Sequence, residues 1–483
     1  MESLRVVIVG GVAGGASAAT RLRRLDESAR ITLLERGEHV SFANCGLPYH
    51  IGGVIEERDR LLLQTPESLK ARFNLDVRVR QEVLAIDREA REVRVRDLAS
   101  GREYREPYDR LILAPGAAPL RPPIPGVEHA LSLRNLPDMD AILARVDAGA
   151  RQAVVIGGGF VGLEVAENLV ERGVRVTVVE AAPQVMAALD PEMAAIVRAE
   201  LEANGVRVCL GDALERLDDH GRTVVLKSGA RLSAGLVVLA IGVRPETRLA
   251  AEAGLAIGKR GGILVDQHLR TSDPSIYAVG DAVQKENLLG DEALVPLAWA
   301  ANRQGRLAAD HIKGLPARFA RQQATAIAKV FGLTVAATGL NETALRAAGR
   351  AFQAVHTHPA SHAGYYPGAE RMSLKLLFDP ASGEILGAQA AGGAGTDKRI
   401  DVLSTAIKAG LRAPDLADLE LAYAPPYSSA KDPVNMLGYI AGNLMNGERS
   451  LQWHELGLDD PVLDVRDPDE FALGHVAGAL NIP

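Results

Sequence analysis

Two glycine-rich turns, each entered from an apolar strand and left through a helix, restrict this chain more than any other feature of its sequence. The second turn is complete. Ala153 to Ile156 reads as a buried parallel strand, and Gly157-Gly158-Gly159-Phe160-Val161-Gly162 then fits the G-x-G-x-x-G pattern without exception. A helix to Arg172 and a strand from Arg175 to Val179 follow, closed by Glu180. In a βαβ unit of this kind, the unpaired N–H groups and dipole at the helix N-terminus hold a pyrophosphate, and the acid accepts hydrogen bonds from ribose hydroxyls. Ala181 and Ala182 come next with no arginine nearby, which favours NADH over NADPH. The expected contacts are Gly157, Gly159, Phe160, Val161, Gly162 and Glu180.

The first turn follows the strand Leu4 to Val9. It reads Gly10-Gly11-Val12-Ala13-Gly14-Gly15, and a helix through Leu25 and a strand from Ile31 to Leu34 lead to Glu35. The middle glycine of the pattern is Val12, so the flanking strand and helix carry the assignment.

The rest of the chain sorts around these two units. Leu111 to Ala117 is a strand running into a turn, where the chain crosses from one domain to the other, and Pro119 to Pro125 reads as linker. Leu236 to Ile241 with Gly242 repeats that pattern and marks the return. Ile276 to Asp281 is a strand ending in Gly280-Asp281, where a carboxylate can bind a ribityl hydroxyl. The expected division is a first nucleotide domain over 1–115 and 245–323, and a second over 116–244. From Ala324 the strands shorten, with a hairpin around Asp379 to Gly383 and a helix from about Lys398 to Ala409, so 324–445 reads as an α+β domain. The tail, 450–483, reads as strand, short helix and strand, too little to bury a core alone, as if it were the start of a further domain. The fold class is α/β, with two Rossmann-like domains, the α+β domain and this partial segment.

At 483 residues the chain has room for about three domains. Its net charge of −7 is modest and mixed in sign, which favours neither nucleic acid nor a membrane surface. No apolar run approaches the ~20 residues that a bilayer requires. With only two cysteines there is no disulfide framework, and a cytoplasmic setting is expected.

One of those cysteines, Cys45, stands in Ser41-Phe42-Ala43-Asn44-Cys45-Gly46-Leu47-Pro48-Tyr49. A lone cysteine is commonly a small buried hydrophobe. Gly-Leu-Pro directly after it reads as a helix start, where the dipole would stabilise a thiolate. The flanking nucleotide units favour a redox nucleophile. Cys209, inside the second unit after Val206-Arg207-Val208, fits the buried role. Tyr365, Tyr366, Tyr423 and Tyr427 lie in loops rich in Pro and Gly. They are either rim packing or phenols placed to protonate a leaving sulfur. His356, His358 and His362 have a spacing compatible with a metal, but no cysteine or well-placed acid joins them, and no metal is expected.

Two dinucleotide turns, a Gly-Asp strand end and a C-terminal α+β domain resemble the flavin disulfide reductases over about residues 4 to 445. Members with an internal redox disulfide carry C-x-x-x-x-C, and here the second position is His50. The sequence Ser41-Phe42-x-x-Cys45-Gly46 fits the single-cysteine branch, which holds NADH peroxidases, NADH oxidases and coenzyme A-disulfide reductases. The peroxidase histidine is missing from the first turn, where Val12 and Ala13 stand. Tyr423-Ala424-Pro425-Pro426-Tyr427-Ser428 and Tyr365-Tyr366-Pro367 look like the tyrosine motifs of the coenzyme A-disulfide reductases.

That resemblance implies a homodimer with shared active sites, FAD on the first domain and NADH or NADPH on the second. Cys45 would cycle as a mixed disulfide with coenzyme A to reduce CoA disulfide, CoA persulfide or polysulfide. Tyr365 and Tyr423, with Tyr366 and Tyr427 as alternates, would serve the leaving sulfur. Its implied flavin contacts are Gly10, Val12, Ala13, Gly14, Glu35, Arg36, Asn44, Val83, Ala114, Gly116, Gly280, Asp281, Pro296 and Ala298, with Gly242 at the second site. Ser17, Arg21, Arg24, Ser41, Asn44 and Tyr427 would hold CoA, although Arg21 and Arg24 read equally as a solvated basic helix face. The tail from Pro461 to Pro483 resembles the first part of a rhodanese domain, without that domain's nucleophilic cysteine. An oxidase working through a Cys45 sulfenate, and a flavin-bound redox sensor, are the alternative readings.

Overall fold

The computed structural model describes residues 3–452, 455–457 and 459–483. Its first layer is a five-stranded parallel sheet in the order Ile276–Ala278, Arg110–Leu113, Arg5–Val9, Arg30–Leu34, Asp76–Arg78. The central strand carries Val6, Val7 and Ile8, all buried, because a parallel strand is covered on both faces. Val6 and Ile8 pack beneath the helices Ala13–Leu25 and Ala298–Ile312. Val7 packs on the other side against Val83, Val93 and Val95 of a three-stranded antiparallel sheet. The two helices approach closely through small residues. A Cβ on Gly305 would stand 2.2 Å from the Gly14 carbonyl oxygen.

The second unit repeats the plan with four parallel strands in the order Arg207–Leu210, Arg175–Glu180, Gln152–Ile156, Leu236–Leu239. Cys209 lies within the first of these, at the sheet edge, where it packs against the core yet is half-buried rather than fully enclosed as expected. Between the two units, the outgoing and returning chains run as an antiparallel ribbon, Ala117–Pro119 against Val243–Pro245.

The third layer is a five-stranded antiparallel sheet in the order Ala326–Val330, Leu333–Gly339, Ile385–Gly392, Met372–Phe378, Gln353–Thr357. The helices Thr396–Ala409 and Pro433–Met445 share its core. This domain is latched to the second unit by a buried charge cluster. Lys375, 0 % exposed, places Nζ 2.8 Å from Asp190, 2.5 Å from Glu192 and 2.6 Å from Glu342, so the three carboxylates surround an ammonium. His356, His358 and His362 do not converge: their rings bond Glu192, Ser373 and the Ala363 carbonyl respectively.

In the tail, Leu463–Asp464 pairs in parallel with Leu480–Asn481 beside the short helix Pro468–Ala472. Trp453, His454 and Leu458 of the 450–483 segment lie outside the described residues, as do Met1 and Glu2 of the first domain. No described helix is long and apolar enough to cross a membrane.

Candidate active site

Both glycine-rich turns are built the same way. In the first, the Glu35 carboxylate accepts from Gly11 N–H at 2.8 Å and Gly37 N–H at 2.7 Å. In the second, Glu180 accepts from Gly158 N–H at 2.7 Å and Ala182 N–H at 2.8 Å. Each acid therefore ties the turn to the end of the following strand. A Cβ on Gly10 would stand 2.1 Å from the Ala114 carbonyl oxygen, and one on Gly157 2.3 Å from that of Ala240. One on Gly15 would stand 1.9 Å from the Gly10 oxygen, and one on Gly162 2.0 Å from that of Gly157. Only glycine lets strand, turn and helix close to these distances.

The second turn is open where a dinucleotide would lie, and the first unit presents a carboxylate unpartnered among the described residues. Gly159 is the N-cap of the helix Phe160–Glu171, and a Cβ there would meet nothing within 4 Å, leaving room for a pyrophosphate at the helix N-terminus. Phe160 and Val161 open that helix, with Val161 exposed, and Gly242 stands at φ 106° in the return turn. In the first unit the Asp281 carboxylate accepts no hydrogen bond from the described residues, and burial pushes its pKa up. A polar group so placed calls for a partner such as a ribityl hydroxyl. Gly280 (φ 81°) donates to the buried Gln304 at 2.6 Å and thereby fixes that turn. Gly116 (φ 74°) lies beside Arg134, while exposed Pro296 and Ala298 stand at the start of the long helix Ala298–Ile312. Val12 caps the helix Ala13–Leu25 with its backbone alone. Arg36 is bound to Glu246, Val83 is a core side chain, and Gly14 faces Val279 and Ala301 in the helix contact.

Cys45 lies at the junction of the two units. The segment before it is held down by Ala43 N–H to Leu61 O at 2.8 Å and Leu63 N–H to Ser41 O at 3.1 Å. Cys45 occupies a single 3₁₀ turn, Asn44–Gly46, that runs into the five-residue helix Leu47–Ile51. Leu47 and Ile51 enter the core of the second unit, each contributing about 1.5–3 kcal/mol of burial. Arg172 of that unit donates to the Ile51 carbonyl at 3.1 Å. His50, five residues on from Cys45, is bound to the Ile55 carbonyl at 2.6 Å.

The expectation that a helix start makes Cys45 a thiolate is not met by the protein groups around it. Cys45 is open to solvent, yet enough protein surrounds it that desolvation raises its pKa, and the Glu164 and Asp281 carboxylates raise it further. A helix of five residues has little dipole to set against them. Glu164 lies one turn into the helix Phe160–Glu171, and burial, then Glu167, pushes its pKa up to about 7. Tyr49, near both acids and Cys45, is pushed up to about 12, chiefly by burial. Sequence reasoning passed over Glu164, an acid on a helix with no motif of its own. It also passed over Gly15, the close-packing glycine of the first turn, and Arg134, which binds Glu246 at 2.7 Å and whose charge reaches Asp281.

The tyrosine loops form a second group. The Tyr365 and Tyr423 hydroxyls meet at 3.1 Å, and that bond raises the Tyr365 pKa. All four loop tyrosines are exposed, Tyr365 by 76 %. Cys45 belongs to the turn Asn44–Gly46 of the first unit, whereas Tyr365 and Tyr423 belong to loops of the antiparallel domain. The residues expected to hold CoA are spread along the first helix and the Cys45 segment. Ser17 donates to Asn302 at 2.9 Å, Arg21 is paired with Asp310, and Arg24 lies 5.3 Å over the Phe73 ring. Ser41 adopts φ 47°, and the Asn44 amide reaches the Arg134 carbonyl at 3.5 Å.

Residues 4–305 match the family model for pyridine nucleotide-disulphide oxidoreductases, and residues 325–433 match that family's dimerisation domain. The chain is 36 % identical over 443 residues to a coenzyme A disulfide reductase of Staphylococcus haemolyticus, covering 91 % of this chain and 100 % of the relative. Among solved structures, reduced Bacillus anthracis CoADR-RHD is 50 % identical with a TM-score of 0.98, over 100 % of this chain and 89 % of that one. A NAD-dependent persulfide reductase from A. fulgidus is 39 % identical with a TM-score of 0.95, over 99 % and 90 %.

Proposed function

The chain belongs to the pyridine nucleotide-disulphide oxidoreductase family, FAD-dependent enzymes that oxidise NAD(P)H, and on that premise we propose that it reduces coenzyme A-linked sulfur through Cys45 alone. The observation that carries this reading is the isolation of Cys45. The sequence has one other cysteine, Cys209, built into a strand of the second unit, and His50 is engaged where a second redox thiol would stand. A disulfide at Cys45 therefore needs a sulfur from outside the chain. The coenzyme A disulfide reductase and persulfide reductase relatives support coenzyme A as its source.

A flavin bound at the first unit supplies the route by which the electron pair of the nicotinamide reaches sulfur. The chain's own part starts with the Cys45 sulfur attacking CoA–S–S–CoA, which gives Cys45–S–S–CoA and releases one CoA thiolate. Two electrons and a proton then release the second CoA and restore Cys45. For each disulfide, one NADH and one proton are consumed and two CoA thiols form. Tyr365 and Tyr423 give a proton to the departing thiolate and take it back from solvent. Because the pair is exposed on the domain that matches the family's dimerisation model, it serves the Cys45 of a partner subunit, so the working unit is a homodimer.

Ser17, Ser41, Asn44 and Tyr427 line the path of the pantetheine arm, and Arg24 is the freer of the two arginines for its phosphates. NADH is the preferred donor, because Glu180 repels a 2′-phosphate and Ala181 offers no cation. CoA persulfide or polysulfide is the favoured acceptor, supported by the resemblance of the tail sequence to rhodanese and by the persulfide reductase among the similar structures. In the tail, Leu463, Val465, Leu473 and Leu480 are all exposed, Leu473 by 91 %.

Intact mass of the aerobically purified protein, before and after dithiothreitol, tests the reading. A reductant-labile CoA adduct that maps to Cys45 is the expected result. A sulfenic or sulfinic Cys45 without the adduct would replace it with the oxidase. In parallel, Cys45→Ser should abolish disulfide-dependent NADH consumption and leave reduction of the bound flavin by NADH intact. Full disulfide reductase activity in that variant would end the proposal.

A further inference from the structure

The two tyrosine loops are exposed at their tips and tied together at their base. Tyr427 and Ser428 close a turn on the Ala424 carbonyl, and Ser428 is itself fully buried. Its carbonyl accepts from Ala363 N–H at 3.1 Å, which joins the loop of Tyr423 to the loop of Tyr365 at one backbone bond. The second loop is pinned by Ser361 N–H to Glu370 O at 2.7 Å and Glu370 N–H to Ser361 Oγ at 3.2 Å. Beneath this point is a buried arginine. Arg399, 0 % exposed, donates through Nη2 to Ser428 Oγ at 3.1 Å and Asp432 at 2.9 Å, and through Nη1 to the Gly395 carbonyl at 3.2 Å. Ser428 Oγ donates to the same Asp432 carboxylate at 2.5 Å. Asp432 also caps the helix Pro433–Met445, accepting from Val434 N–H at 3.0 Å, and Lys398 lies 3.6 Å away on its outer side.

A buried ion pair of this kind is a poor way to stabilise a domain, because apolar residues of the same volume do as well. What it does is fix directions: an arginine fork, a carboxylate and a hydroxyl each have few acceptable geometries. Here those directions converge on Ser428, whose carbonyl joins the two tyrosine loops.

We propose that Arg399, Asp432 and Ser428 are a buried positioning unit that holds the Tyr365–Tyr423 phenol pair in place to serve the leaving sulfur. This rests on the role given to that pair above. None of the three touches substrate. They act through the tyrosines, and a displacement of about 1 Å at the phenols is enough to cost on the order of a hundredfold in rate.

The test uses the flavin-loaded enzyme and Ser428→Ala, which deletes one hydroxyl and leaves the Arg399–Asp432 pair. The kcat with CoA disulfide should fall roughly tenfold or more. The KM for NADH and the stopped-flow rate of flavin reduction by NADH should stay at wild-type values. Tyr423→Phe should lower kcat similarly, and the double variant should be no slower than the worse single variant, because both changes remove one function. Effects that multiply, or a Ser428→Ala loss shared equally by flavin reduction and melting temperature, would overturn the inference. If Tyr423→Phe is slow and Ser428→Ala is normal, the inference fails and the role of the phenols stands. If Tyr423→Phe has full activity, that role fails and the inference falls with it. Arg399→Lys, which keeps the charge and loses the fork, gives an independent reading wherever it folds, and full kcat there would count against the proposal.

Discussion

In the first nucleotide unit, Gly10 N–H bonds Leu34 O, Ala114 N–H bonds Val9 O and Ser41 N–H bonds Gly11 O, at 2.9, 2.7 and 2.9 Å. In the second, Gly157 bonds Val179, Ala240 bonds Ile156 and Met186 bonds Gly158, at 2.8, 2.7 and 2.8 Å. Even the left-handed residue recurs, Ser41 at φ 47° and Met186 at φ 50°. Beyond it the two units diverge. After Ser41 the chain is pinned against Leu61–Leu63 and turns into the Cys45 helix. After Met186 it reaches Asp190, which is gripped by Gln389, Glu342 and Lys375 of the antiparallel domain. One frame thus has two exits: the first carries the candidate redox cysteine and the second anchors a domain. The frame is set by short-range backbone geometry, and what each exit supplies is set by its partners.

The largest expected effects come from breaking the frame at matched positions. Gly15→Ala puts a Cβ 1.9 Å from the Gly10 oxygen, and Gly162→Ala puts one 2.0 Å from the Gly157 oxygen. Relief requires backbone shifts, which cost about 1–3 kcal/mol and displace the N–H groups that face the pyrophosphate. Gly15→Ala should purify with little flavin. Gly162→Ala should keep its flavin and lose most of its NADH affinity. Flavin absorbance per protein and an NADH titration check both, and a flavin-replete Gly15→Ala would show that the two turns are not equivalent.

A smaller effect separates the two acids' neighbours. Ala181 follows Glu180 and is exposed, so Ala181→Arg sets a guanidinium beside the place of the ribose 2′ position. Charge-assisted bonds of about 1.5–3 kcal/mol should raise the ratio of kcat/KM for NADPH over NADH by roughly tenfold or more. An unchanged ratio would place the adenosine ribose away from Glu180.

The glycine turns, their strands and the closing acids were legible because each is a local requirement: φ, close approach, a buried parallel strand. The α+β domain was legible from its hairpins, although its helix starts at Thr396 rather than near Lys398. That difference matters, since Arg399 reads in sequence as one more charge beside Lys398 and is fully buried in the fold. Tyr365 and Tyr423, 58 positions apart, were paired in the sequence only through a resemblance, and in the structure their hydroxyls meet. The electrostatic surroundings of Cys45 are not legible in the sequence for a tertiary reason. The helix start is visible in Gly46-Leu47-Pro48, but the carboxylates of Glu164 and Asp281 reach the thiol from opposite units of the fold. No local pattern reports such a junction.

Glu164 also distinguishes the two frames, since it occupies in the second helix the place that Ser17 has in the first, seven residues after Gly157 and Gly10 respectively. Its pKa rises from 4.5 to about 7 on folding, mainly through burial. Between those values the folded chain holds a proton that the unfolded chain has lost. Stability is therefore lost as pH rises through this window, and above about pH 7 the penalty is complete. Glu164→Gln removes it. The variant should melt higher than wild type at pH 8, by on the order of 2 kcal/mol, and the gap should close as pH falls toward 4.5. A gap that is the same at pH 5 and pH 8 would mean that the carboxyl is not strained by burial.

The smallest effect is expected where the frames differ in sequence but share a negative φ. Val12 and Gly159 are both N-caps, at φ −94° and φ −84°, and neither angle requires glycine. Val12 makes no side-chain capping bond, so the first turn offers its ligand the same backbone N–H groups as the second. Val12→Gly gives up part of a half-buried side chain and gains a better N-cap, terms of opposite sign that each amount to less than about 1 kcal/mol. The variant should keep its full flavin content and melt within about 2 °C of wild type. If it loses flavin instead, the Val12 side chain itself is part of the contact, and the missing glycine of the first turn marks a ligand that the second turn would not accept.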